Sequence, residues 1–208
     1  MENELISKFY NINKELYQSA KNPMRSHDYN HHLRVCRYAL DLADKVAKKR
    51  KVEIDREILI IACFFHDVAA FFPDEFSKND QNIDALLAEK ELRKINLPEE
   101  KIKKVTDAIR AHGSDPSVRE ADEHIEVSLL RDADKLEVFG PLGITRVIMA
   151  RTRRGDGIAE MVEDFYTKGH LKKKWDSITS DEARKIGKEG YEYAMDFFKK
   201  LAEAIKNK

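Results

Sequence analysis

The stretch "DREILIIACFFHDV", residues 55–68, decides how this chain folds. Its β-branched run could be a buried strand. Against that, Asp55 is placed to cap a helix, and the segment is long for a strand. We read a fully buried helix that ends near His66–Asp67. The ionisable pair then sits inside "FFHDVAAFFP" (64–73), among phenylalanines and alanines. Burying such a pair is costly unless something partners it.

The pattern around this stretch is helical too. In "NHHLRVCRYALDLADKVAKKR" (30–50), Leu33, Cys36, Leu40, Ala43 and Ala47 recur at steps of three and four. That spacing marks one face of a helix, and Asp28 is placed to cap it. Residues 74–80 read as a loop and 81–95 as a helix. "LPEEKIKKVTDAIRAHG" (97–113) has Pro98 and two glutamates at its start and Gly113 past its end, the polarity expected of a helix. "SDP" (114–116) reads as a turn, about 122–138 as a helix, and Gly140–Pro141 as its break. Two or three further helices follow, the last over about 180–206. No hairpin signal appears. The expected fold class is all-α, a compact helical bundle in one domain, with a core over about 15–150 and added C-terminal helices over about 156–206.

Composition narrows the function classes. The 208 residues are 42% hydrophobic and 37% charged, as in a soluble globular chain. Lys+Arg and Asp+Glu both number 38, so the net charge is zero, unlike that of a general nucleic-acid binder. The basic runs "ARTRRG" (150–155) and "HLKKKW" (170–175) read as solvated helix ends. The longest apolar run, "ILIIACFF" (58–65), is far short of the roughly 20 residues needed to span a membrane. The N-terminus is acidic and polar, unlike a secretory signal. Cys36 and Cys63 read as buried free thiols, and no Cys-x-x-Cys offers a zinc knuckle. The expected location is cytoplasmic.

Three patches put ionisable groups beside apolar faces. They are His31 and His32 in the first turns of the second helix, the His66–Asp67 pair, and Asp134 in "SLLRDADKLEVFG" (128–140). Taken together, "HDYNHHLRV" (27–35), "FFHD" (64–67) and "RDADKLE" (131–137) resemble the three ordered motifs of the HD-domain metal-dependent phosphohydrolases. The first matches the pattern His-Asp-x-x-His-x-x-Arg-Val at His27, Asp28, His31, Arg34 and Val35. The resemblance covers roughly residues 15–205.

The resemblance implies an all-helical HD-type bundle with metal ligands His31, His66, Asp67 and Asp134. His31 is preferred to His32 for its spacing to Arg34–Val35. Asp134 is preferred to Asp132 because Lys135–Leu136 follows it; Asp132 then supports the ligands from behind. Two imidazoles and two carboxylates favour one divalent ion, Mn, Fe, Co, Ni or Mg, over a structural zinc. The implied activity is hydrolysis of a phosphate ester or pyrophosphate bond in a small phosphorylated molecule, a nucleotide being the best guess, by a metal-activated water. Asp67, Lys135 and His112 are the catalytic candidates. Arg34, Lys135, His112 and His27 are the phosphate-binding candidates. His124 and His170 read as surface residues. No membrane is expected as a partner, and a homodimer fits the expectation.

The sequence departs from the family at Ala70, where many relatives carry an acidic residue that orients the water or binds a second ion. Asp74, Glu75 or Asp80 remain as groups that could reach back. The extra histidine of dinuclear relatives is missing from "SKNDQNIDALL", which favours one metal. Phe71 and Phe72 read as core, the alternative being a wall for a nucleobase. Two other classes stay open: a degenerate domain that only senses metal and nucleotide, and a di-iron oxygenase on the same scaffold.

Overall fold

The structure is a computed structural model in which residues 1–76, 81–113 and 124–206 are described. The expected turn at 114–116 and Asp80 lie outside them. All regular elements among the described residues are helical. The chain divides into two compact units, Met1–Ala133 and Asp134–Lys208.

In the first unit, α1 (Glu2–Ser19) is followed by α2 (Tyr29–Arg50), α3 (Arg56–Phe65), α4 (Gln81–Lys94), α5 (Glu99–His112) and the start of α6 (Ile125–Leu136). The stretch at 55–68 is helical as expected. Asp55 caps α3 by accepting a hydrogen bond from the Ile58 N–H at 3.1 Å. The Asp55 N–H donates in turn to Glu126 Oε1 at 2.7 Å. Every residue of α3 from Ile58 to Phe65 is buried, since α1, α2, α4 and α5 all pack on it. Each large side chain there contributes about 1.5–3 kcal/mol by leaving water. No strand could be enclosed this way without a partner for its backbone.

α2 is capped by Asp28, whose Oδ1 accepts from the His31 N–H at 2.8 Å. Its buried face is broader than the expected stripe. Val35, Ala39, Leu42 and Val46 are buried with Cys36, Leu40 and Ala43, while Leu33 and Ala47 are only half-buried. The reason is that α2 packs on α1 as well as on α3. Both cysteines are free and buried.

The second unit carries α7 (Gly140–Arg153), α8 (Ile158–Val162), a π-helical turn (Glu163–Thr167), α9 (His170–Asp176) and α10 (Asp181–Lys206). Gly140–Pro141, expected to break the helix over about 122–138, stands after the end of α6 and at the start of α7. Pro141, at the first or second position of a helix, forfeits no intrahelical bond, so Gly140–Pro141 starts a helix as well as ending one. Gly140 takes φ +74°, a left-handed conformation that suits glycine. Trp175 and Tyr191 stack at 4.5 Å, and Phe139 meets both edge-on at 5.6 Å. The basic run at 150–155 is the end of α7, where Arg151 pairs with Asp164 at 2.9 Å and also with Asp156. His124 and His170 are exposed, as expected.

Candidate metal centre

The polar centre of the first unit is assembled from the ends of its helices. His31 and His32 lie in the first turn of α2, and both are buried. His66 and Asp67 follow α3 at once, where the chain tightens into a 3-10 turn at Val68–Phe71. His112 is the last residue of α5. His31, His66 and Asp67 each offer one ligand atom, and these atoms lie within 4.8 Å of one another.

The ring tautomers can be read from the neighbours. His66 Nδ1 lies 2.9 Å from the Cys63 carbonyl oxygen. That oxygen only accepts, so Nδ1 carries the proton and the neutral ring keeps its lone pair on Nε2. His112 Nδ1 lies 2.6 Å from the Ile109 carbonyl oxygen, with the same consequence. Metal-binding histidines are commonly oriented by a hydrogen bond of this kind at their other nitrogen.

The Asp67 carboxylate is ringed by imidazoles. His66 Nε2 and His27 Nε2 are each 3.8 Å from Oδ2, and His112 Nε2 is 3.9 Å from Oδ1. These separations exceed hydrogen-bonding distance. An ion drawing its ligands from one carboxylate and several imidazole nitrogens fits such a spacing. The donor set is mixed nitrogen and oxygen with no thiolate, and it could hold a divalent ion.

The other expected residues fall as follows. His27 is partly buried, with Nδ1 2.9 Å from Ser26 Oγ. Arg34 lies half-buried on α2, three residues beyond His31. Asp132 is buried on α6. Asp134 and Lys135 are half-buried on the last turn of α6 and begin the second unit. Within that unit the Lys135 ammonium donates to the Ser177 carbonyl at 2.7 Å. Asp74 accepts from the exposed amide of Asn22 at 3.4 Å. Glu75 and Phe72 line a cavity of about 260 Å³ with Leu16 and Phe76. Phe71 is core.

Three residues that shape the centre were passed over in the sequence, and a fourth was weighed and set aside. Asn13 of α1 is buried, donating to the Phe64 carbonyl at 2.5 Å, while its Oδ1 lies 2.8 Å from His32 Nδ1. Asp84 of α4 is buried and accepts from the Ala69 N–H at 2.7 Å. The Ala70 carbonyl accepts from the Met24 N–H at 2.9 Å, so the turn after Asp67 is held from two sides. Arg131 of α6 donates to the His112 and Ala111 carbonyls at 3.1 and 2.6 Å, satisfying two carbonyls at the C-terminal end of α5. The fourth is His32 itself. Its ring stacks on Phe71 at 5.2 Å.

The model of the HD domain family matches residues 28–138. No curated protein sequence matches the chain. Among solved structures, Bacillus subtilis YpgQ in complex with ADP is similar at a TM-score of 0.66 and 20% identity, with 96% of this chain and 97% of that one covered. An HD-superfamily hydrolase from Bacillus thuringiensis is similar at 0.67 and 20%, covering 100% of both chains. A protein from Lactobacillus plantarum reaches 0.73 at 15% identity, covering 99% and 98%. At these identities the likeness is one of fold.

Proposed function

The chain belongs to the HD domain family, and from that premise we propose that it is a metal-dependent phosphohydrolase of small phosphorylated molecules, with nucleotides the favoured class. One observation carries the reading: His31, His66 and Asp67 gather their ligand atoms within 4.8 Å, and Cys63 fixes the His66 tautomer. Asp134 joins them in the proposal as fourth ligand, one residue beyond buried Ala133 on α6. A divalent ion, if held by these residues, would supply Lewis acidity to a phosphoryl oxygen and to a water nucleophile near neutral pH. His27 and His112 flank Asp67 and are offered as phosphate contacts. Arg34 is offered as a further phosphate contact. Lys135 is kept as a catalytic and phosphate candidate, although its ammonium already donates to Ser177. The ADP bound by YpgQ supports a nucleotide as the first class to try.

The test is metal analysis of the purified protein, followed by a screen of phosphorylated metabolites with Mn²⁺ and Mg²⁺. The expected result is about one transition-metal ion per chain and a hydrolysed nucleotide, with both lost in His66→Ala. A protein that keeps no stoichiometric ion, with His66→Ala as active as the parent, overturns the reading.

Ala70 favours a second reading. Where an acid would orient the water, this chain has a buried methyl group, and the nearby Asp84 carboxylate is engaged with the Ala69 N–H. The second reading is a domain that binds metal and nucleotide without turnover. A metal-replete protein that binds nucleotides and hydrolyses none of the panel decides for it.

A further inference from the structure

His32 has no role in the four-ligand centre, yet it is built like a ligand. It is wholly buried. Its Nδ1 faces Asn13 Oδ1 at 2.8 Å, and that oxygen must accept, because the amide nitrogen of Asn13 donates to the Phe64 carbonyl. Nδ1 therefore carries the proton, and in the neutral ring the lone pair is on Nε2. This is the same orientation that Cys63 imposes on His66. Phe71 stacks on the ring and fixes its plane.

The three rings form a triangle. Centroid separations are 5.4 Å for His31–His32, 5.3 Å for His31–His66 and 4.9 Å for His32–His66. Three imidazoles bound tetrahedrally through one nitrogen each at about 2.1 Å hold their centroids about 5.2 Å apart. The mutual tilts of 52°, 62° and 59° splay the rings as a propeller, not a stack. Each ring offers a nitrogen, and these three atoms lie within 4.8 Å of one another.

We propose that His31, His32 and His66 form a second, all-imidazole coordination register that binds a borderline divalent ion such as Ni²⁺, Co²⁺ or Zn²⁺ without a carboxylate. It shares His31 and His66 with the centre described above, so one ion occupies one register or the other; this much rests on that centre being a metal site. Three neutral nitrogens with no carboxylate favour late first-row ions over Mn²⁺ or Mg²⁺.

Calorimetric titration of the metal-free full chain with Ni²⁺ and with Mn²⁺ tests this. In Asp67→Asn/Asp134→Asn, Mn²⁺ binding is expected to vanish while Ni²⁺ affinity stays within about 100-fold of the parent. Adding His32→Phe, which keeps a ring against Phe71, is expected to remove the remaining Ni²⁺ binding. In the otherwise unaltered chain, His32→Phe is expected to lower the Ni²⁺-to-Mn²⁺ affinity ratio at least about tenfold. Asn13→Ala, which retains all three rings and removes the partner of His32 Nδ1, is expected in the double variant to weaken Ni²⁺ by about 10- to 100-fold. Helical circular dichroism verifies that each variant is folded. If the parent binds Mn²⁺ but the folded double variant binds no Ni²⁺, the second register is refuted and the main centre stands. If the folded double variant binds Ni²⁺ equally with and without His32, the register is refuted as well. If the parent binds neither ion, both fall.

Discussion

The two units bury very different things. The first buries Asn13, His31, His32, His66, Asp84, Thr106, His112, Arg131 and Asp132 alongside its aliphatic core. In the second, the buried residues are mainly apolar, among them Phe139, Met161, Val162, Phe165, Leu171, Ile178 and Phe198. Its helices also approach closely at glycines: a Cβ on Gly190 would lie 3.3 Å from the Gly140 backbone nitrogen. A buried polar group lowers stability unless it is satisfied, so a cluster of them points to chemistry and not to packing. Close helix contact at glycine and stacked aromatics point to packing.

That contrast can be broken by substitution. The largest effect is expected in the first unit. His66→Ala should lower metal affinity by more than about 100-fold, beyond the usual loss from removing an outer partner of a ligand, and hydrolysis with it. Equilibrium dialysis with metal analysis measures the first. If His66→Ala keeps its ion, the polar cluster is not a metal centre, and the contrast loses its meaning.

Gly143→Ala probes the second unit. An added methyl would lie 2.2 Å from the backbone carbon and oxygen of Val138, which cannot swing aside as a side chain would. A loss of about 3 kcal/mol or more is expected from chemical denaturation. Metal binding by the folded protein should survive.

Asn13→Ala sharpens the comparison at intermediate size. It removes the partners of His32 Nδ1 and of the Phe64 carbonyl within the buried cluster. The expected loss is about 1–3 kcal/mol, read from the denaturation midpoint. A neutral result would mean that buried polarity in the first unit is not held by its hydrogen bonds. The smallest effect is expected at an exposed pair. Lys172→Ala removes a partner of Asp176 on the surface of α9. Screening by solvent leaves such pairs nearly neutral, and no shift in thermal midpoint beyond experimental scatter is expected.

Much of this organisation was legible in the sequence, and its gaps have causes. α3 could be read because Asp55 is a local cap and eight apolar residues follow without interruption. α5 could be read from Pro98 and Gly113 at its two ends. The Gly140–Pro141 pair was read as the break after α6, but its second role as the start of α7 was missed, because Pro in the first turn of a helix forfeits no bond. Asn13, Asp84 and Arg131 were invisible for another reason. Asn13 bonds across 51 residues to Phe64, Asp84 across 15 to Ala69, and Arg131 across 19 to His112. Nothing in the spacing of a single chain marks a polar residue that will be buried by such a partner.

His31 and His32 draw the line between the two kinds of information. By itself the sequence determined what depends on neighbours in the chain: helix caps, helical periodicity, the order of the His and Asp motifs, and the absence of a carboxylate at Ala70. Spacing to Arg34–Val35 singled out His31 and left His32 aside. Only the tertiary structure decided that both rings are buried beside His66, because Asn13 from α1 and Phe71 from beyond α3 orient the second ring. Caps and periodicity act within a turn or two of helix. The direction of a buried lone pair is set by groups that only folding brings together.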